Sequence, residues 1–153
     1  MRATCSWFLV LSSWGMNKVI VNKFETLNAW REAHKLVITV YKCTKNFPKD
    51  ETYRLTDQLC RASSSVAANL VEGTSRNTNK EYRQFAFQAR GSLEETKYHL
   101  LLAKDLGYLN EDIYNDIMFQ ADKTGKLING LIRYLRTKIE DLSPKIQELR
   151  TKN

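Results

Sequence analysis

Apolar residues recur every three or four positions in four long stretches of this chain, the period of an α-helix rather than a strand. The first stretch predicts a helix over about 26–46, with Leu27, Trp30, Ala33, Val37, Val40, Tyr41 and Thr44 along one stripe. Phe47-Pro48 closes it, because proline disfavours the helical state of the residue before it. The second helix starts between Asp50 and Thr56 and runs to Gly73, with Leu55, Leu59, Ala62, Val66 and Leu70 inward. Thr78, with Glu81 three residues later, is a capping box that opens a third helix over about 79–106. Its inward positions are Phe85, Ala89, Ser92, Leu93, Thr96, Leu100 and Ala103. Gly107 is expected to stop it as a left-handed cap, with Tyr108 folding back onto the last turn. Asn110 caps the fourth helix, where Glu111 and Asp112 suit the positive N-terminal dipole. Its stripe is Ile113, Ile117, Ala121, Thr124, Ile128, Leu131, Leu135 and Leu142, until Ser143-Pro144 ends or kinks it.

No segment of alternating polarity competes with these helices, and short loops join them. The pattern therefore predicts an all-α, antiparallel up-and-down four-helix bundle over residues 23–142. Residues 143–153 form a charged C-terminal tail, and residues 1–22 an N-terminal extension expected to be poorly ordered. Arg2 and the apolar run after it resemble a weak signal peptide. The run is broken by Ser12 and Ser13, lacks an A-x-A cleavage site and is too short to span a bilayer. Met16 begins a second plausible start, so a dispensable extension is favoured over a targeting segment.

Composition adds a partner class. The hydrophobic and charged fractions, 42% and 27%, are ordinary for a globular domain, but 24 Lys and Arg against 17 Asp and Glu leave a net charge of +7. Such a surplus favours polyanions, either nucleic acid or an anionic surface. Cys5, Cys43 and Cys60 are odd in number and lack CxxC spacing, which suits free thiols in a reducing cytoplasm.

Two helices carry more pattern than one bundle needs. On helix two, Arg54, Gln58, Arg61, Ser65, Asn69, Glu72 and Arg76 fall along one polar strip beside the core stripe. On helix three, Phe87, Tyr98, Leu101 and Leu102 lie away from the inward stripe, with Gly91 among them, which points to self-association. A broad core is the plainer alternative. Beside them Arg83, Arg90, Lys97 and Lys104 recur every seven residues as a cationic ridge, joined on helix four by Lys126, Arg133 and Arg136. Those seven residues are the candidate phosphate contacts. A solvated face, partly neutralised by Glu94 and Glu95, is the bland reading.

Catalytic patterns are missing. The chain has no Glu-x-x-His of the di-iron bundle type, and Glu95 with His99 makes at most one edge of a metal site. His99 is therefore expected to be satisfied or solvent-facing. Ser63, Ser64, Ser65 and Cys60 have no histidine nearby in sequence, and the serines suit tight helix packing. No catalytic residue, metal or cofactor is expected, and no membrane association.

From Phe24 to about Leu135 the sequence resembles the 23S rRNA-intervening-sequence protein family of bacterial four-helix bundles. The resemblance rests on Leu27-Asn28-Ala29-Trp30 with Ala33, then Phe47-Pro48 with Glu51 and Tyr53. It continues through Gln58-Leu59-Cys60-Arg61-Ala62, Ser65-Val66, Asn69 and Glu72-Gly73 with Arg76. Gly91-Ser92-Leu93-Glu94-Glu95-Thr96 and Leu106-Gly107-Tyr108 complete it. Leu70-Val71 and Cys60 depart mildly from the family pattern. The resemblance implies a ring-like homo-oligomer, a pentamer, without known enzymatic activity. The family's name records where some members are encoded, which is not a biochemical function. A related group, the accessory variability proteins of diversity-generating retroelements, works with a reverse transcriptase and nucleic acid, so RNA or DNA is an implied partner by analogy. Two expectations follow: a non-enzymatic, oligomeric nucleic-acid binder of low sequence specificity, or a protein-interaction scaffold in which the Arg54-to-Arg76 strip is the contact.

Overall fold

The computed structural model describes residues 22–151, with side chains as far as Asp141, so all of the 1–22 extension but its last residue lies outside the described residues. Four helices carry the fold: α1 (Asn28–Cys43), α2 (Asp57–Thr74), α3 (Asn79–Asp105) and α4 (Glu111–Thr151). There is no strand among the described residues. Each helix packs on its two neighbours in sequence around the bundle, and α4 closes it against α1, which leaves α1 and α3 at opposite corners.

The helix ends follow the local chemistry. Thr78 Oγ1 accepts from the Glu81 amide at 3.2 Å while the Glu81 carboxylate accepts from the Thr78 amide at 3.2 Å, so the capping box closes in both directions. Asn110 Oδ1 accepts from the Ile113 amide at 2.8 Å. Gly107 has φ +76°, the left-handed conformation that a residue without Cβ adopts at little cost. Tyr108, expected to fold onto its own helix, instead packs its ring 5.7 Å from that of Phe47, tilted by 50°, and donates to Glu51 Oε1 at 3.3 Å. The buried residue at this turn is Leu109, and Tyr108 joins the α3–α4 loop to the α1–α2 connection.

That connection bends more than the periodicity suggested. Residues Thr52–Thr56 form one wide π-type turn, with Arg54 at φ −116° and ψ −106°, before α2 begins. Arg54 therefore does not share a continuous helical register with Gln58, and Arg76 lies beyond the C-terminal cap Ser75. The polar strip is thus shorter than a single helix from Arg54 to Arg76 would give.

The core is made by Leu36, Val40, Leu59, Val66, Leu70, Leu93, Leu100 and Ile128, all fully buried, with small residues between them. Helix two buries every apolar position expected of it. The stripes of the other three helices are rotated slightly. On α1 the buried line is Ala29, Ala33, Leu36, Val40 and Thr44, while Trp30 and Val37 are half-buried and Tyr41 is exposed. On α3 Ala86 is buried, whereas Phe85 and Ser92 sit at the α2 flank, half-buried. On α4 Ile132 is buried, Leu131 half-buried and Ile113 exposed. Buried Thr96 and Thr124 return their hydroxyls to the Ser92 and Gln120 carbonyls at 2.8 and 2.9 Å, so neither leaves a buried donor unpaired. Gly73 permits a close approach of α2 and α3, since a Cβ there would lie 2.5 Å from the Tyr82 ring.

Ser143-Pro144 was expected to end or kink the helix; the first alternative is corrected, since α4 continues through it to Thr151. Proline inside a helix gives up one backbone bond, and an exposed carbonyl at that point can turn to water, so the helix survives the loss. Leu142 and the tail side chains lie outside the described side chains.

Candidate nucleic-acid interface

The cationic flank of α3 faces α4, and the antiparallel packing sorts its four residues by level. Near the C-terminal end of α3, Lys104 lies over the Tyr114 ring at 4.7 Å and beside Asp105 at 3.9 Å. One heptad earlier, Lys97 binds Asp122 at 2.8 Å and Glu94 at 3.5 Å. Burial alone would lower the Lys97 ammonium, but Asp122 and Glu94 outweigh it and hold the group above the ordinary lysine range. The Lys97 hydrogen bond holds Asp122 correspondingly below the ordinary carboxylate range. Both cations therefore act within the chain.

Closer to the N-terminus of α3 the seam differs. Arg90, Lys126, Asn129, Ile132 and Arg133 line one shallow groove, and its lining contains no acid. Among the described residues, none of its three cations forms an ion pair. The Arg90 guanidinium also rests 4.9 Å over the Phe87 ring. Arg83, half-buried, continues this flank a heptad earlier. Arg136 turns instead to Glu140 at 3.6 Å. Of the seven expected contacts, then, three converge, one extends the line and three are engaged with the chain's own side chains. Asn129 was missed, although Lys126, Asn129 and Arg133 stand at i, i+3 and i+7 on α4, a spacing that places them on one face.

A second seam, between α1 and α4, was also missed. Glu32 accepts from Lys35 at 2.8 Å and pairs with Lys123 at 3.1 Å, and these two cations hold its carboxyl below the ordinary range. The signal lay in two different helices, which sequence spacing does not connect.

The polar strip on α2 borders α3. Arg61 pairs with Asp57 at 3.6 Å, Asn69 donates to the Ser65 carbonyl at 2.8 Å, and Glu72 pairs with Arg76. The Arg76 guanidinium in turn covers the Phe85 ring of α3 at 4.5 Å. Gln58 is exposed. His99 departs from expectation: its side chain is only 14% exposed, Nε2 lies 3.7 Å from Glu95, and Nδ1 is buried with no partner among the described residues. His34 stacks on Trp30 at the opposite corner, 5.0 Å between ring centres. Among the described residues no three His, Cys, Asp or Glu side chains come together as metal ligands, and no helix is long and apolar enough to cross a membrane. Cys43 and Cys60 are free, and burial pushes the Cys43 thiol up to about 11.

These features define a class: an all-α four-helix-bundle protein with a cationic groove along one helix seam. Residues 25–130, more than half of the chain, match the model of the 23S rRNA-intervening sequence protein family, and the chain belongs to that family. The fold is similar to that of a protein of unknown function from the S23 ribosomal protein family of Bacteroides thetaiotaomicron, at 20% identity and a TM-score of 0.62. The match covers 68% of this chain and 97% of that one. Among curated proteins, none matches the chain.

Proposed function

We propose that this protein is a non-enzymatic, self-associating adaptor that binds RNA or DNA by its phosphates in the α3–α4 groove. One observation carries the reading. Arg90, Lys126 and Arg133 converge on a groove without an acid, while neighbouring Lys97 and Lys104 are engaged within the chain. Two guanidinium groups and an ammonium can each contact a phosphate, and Asn129 adds a neutral donor. Little here reads bases: no aromatic side chain is among the residues that line the groove, so base stacking has no platform in it. Copies brought side by side would multiply this groove along a polyanion. The net charge of +7 supports the same partner class.

Anisotropy titrations of labelled single-stranded RNA and DNA test it. Binding is expected at low salt, with little dependence on sequence. For three contacts the affinity should fall roughly 20–40-fold between 50 and 200 mM salt. Replacing Arg90, Lys126 and Arg133 by Gln should lower the salt slope by about 2.1–2.7. Absence of binding at low salt, or tight binding that ignores salt, overturns the reading.

A further inference from the structure

Three exposed aromatic residues border the α3–α4 groove without lining it. The Lys97–Asp122 pair, and Leu93 packed 3.3 Å from the Cβ position of Gly125, set the register of the two helices. Residue 90 is therefore level with about 128, and residue 87 with about 131. Phe87, beside Arg90 on α3, stands at one rim of the groove. Tyr134, next to Arg133 on α4, stands at the other, where it also lines the depression on the α1 side. Phe119 continues the line of Arg133 and Lys126 one heptad further, about 10 Å beyond Lys126 at 1.5 Å per residue. Phe87, Tyr134 and Phe119 are 37%, 59% and 77% exposed.

Phe119 is the most telling of the three. Its neighbours on the outer face of α4 are Asn115, Asp116, Asp122, Lys123 and Lys126, all exposed and polar. It therefore belongs to no apolar patch of the kind that another protein covers. Asp122 is held by Lys97, and Lys123 by Glu32. Asp116 and Asp112, exposed one and two turns before Phe119, end the cationic strip at that point. At the rims, Arg90 lies over Phe87 at 4.9 Å and Lys138 over Tyr134 at 5.8 Å, so each ring has a phosphate ligand beside it.

We propose that the groove selects a single strand of nucleic acid, its phosphates on Arg90, Lys126 and Arg133 and its bases turned outward onto Phe119, Tyr134 and Phe87. This rests on the phosphate-binding reading above and names the form of its ligand. In a duplex the base faces are already stacked on one another, and only phosphates reach the protein. In a single strand those faces are free, and an aromatic side chain under one base strengthens binding roughly 5–150-fold. Such stacking is blind to sequence, because every base has a π-face.

Anisotropy competition in full-length protein tests the selection with three probes of about 16 nucleotides. They are an oligothymidine strand, a strand of the same length that is abasic throughout, and a duplex; oligouridine serves as the RNA counterpart of the first. The oligothymidine and abasic strands carry the same phosphates and differ only in their bases. Oligothymidine is expected to bind at least tenfold more tightly than the abasic strand or the duplex. Phe119→Ala should lose at least fivefold of that affinity and leave the other two probes unaffected, with helical content unchanged by circular dichroism. Phe119→Trp should keep tight binding, its added indole emission quenched by oligothymidine and not by the abasic strand. Equal affinity for the oligothymidine and abasic strands, or full affinity in Phe119→Ala, overturns this assignment and leaves phosphate binding standing. Absence of binding to every probe at low salt overturns both.

Discussion

At the scale of single residues, two glycines make opposite demands. Gly73 lies where a Cβ would meet the Tyr82 ring at 2.5 and 2.7 Å and the Phe85 Cβ at 3.2 Å, so Gly73→Ala is expected to destabilise the bundle by about 1–3 kcal/mol through overpacking. Nothing lies within 4 Å of a Cβ built at Gly91, where Ala should stabilise the folded chain by about 0.5–1 kcal/mol through the lower entropy of its unfolded state. Urea denaturation measures both. A glycine in sequence looks the same in either case; only the neighbouring helix separates a close approach from open space. Cys43 gives a pH test. Its native pKa of about 11 exceeds the ordinary 9.0, so the unfolded thiol ionises first as pH rises. Stability from this group is complete below pH 9 and declines as pH climbs towards 11. Native Cys43 should also alkylate roughly 100-fold more slowly than the unfolded chain at pH 8. Alkylation kinetics followed by mass spectrometry would show it.

At the scale of helices, starts were legible and rotations less so. Thr78 and Asn110 cap α3 and α4 through bonds within three residues, so the sequence contains both partners. Thr78→Ala should cost about 1 kcal/mol, measured by thermal unfolding. The buried line of α1 was harder to place. Leu36 and Val37 are adjacent and both apolar, and which faces inward depends on where α2 and α4 sit. The Lys97–Asp122 pair belongs to this scale because it joins α3 to α4. The lowered Asp122 pKa means its contribution is present above about pH 3.8 and is lost as pH falls through the lower native value. Asp122→Asn should remove that acid sensitivity. Combined with Glu94→Gln, which removes the second partner of Lys97, it should also raise the salt slope of nucleic-acid binding by roughly 0.7–0.9, read from the same anisotropy titrations.

At the scale of the whole molecule, a charge of +7 becomes a partition. The heptad ridge of α3 looked uniform in sequence, with four cations seven residues apart. Antiparallel α4 offers Asp122 and Tyr114 to two of them and Lys126 and Arg133 to a third, so one ridge divides into a half engaged within the chain and a cationic half. Lys126→Glu with Arg133→Glu should therefore abolish polyanion binding at 150 mM salt and leave the helical content seen by circular dichroism unchanged. Lys104→Glu should reduce binding far less. Two titration series in one buffer make the comparison.

By itself the sequence determined the elements, because a 3.6-residue apolar period, a capping box and a left-handed glycine are interactions between residues near in the chain. It also determined the family, whose pieces keep their order and spacing over residues 25–130. Tertiary structure alone decided which cations meet an acid and which do not, where Tyr108 reaches, and which apolar side chains remain outside. Those outcomes depend on the helix across the seam, and spacing along one helix carries no information about the charge that its neighbour presents.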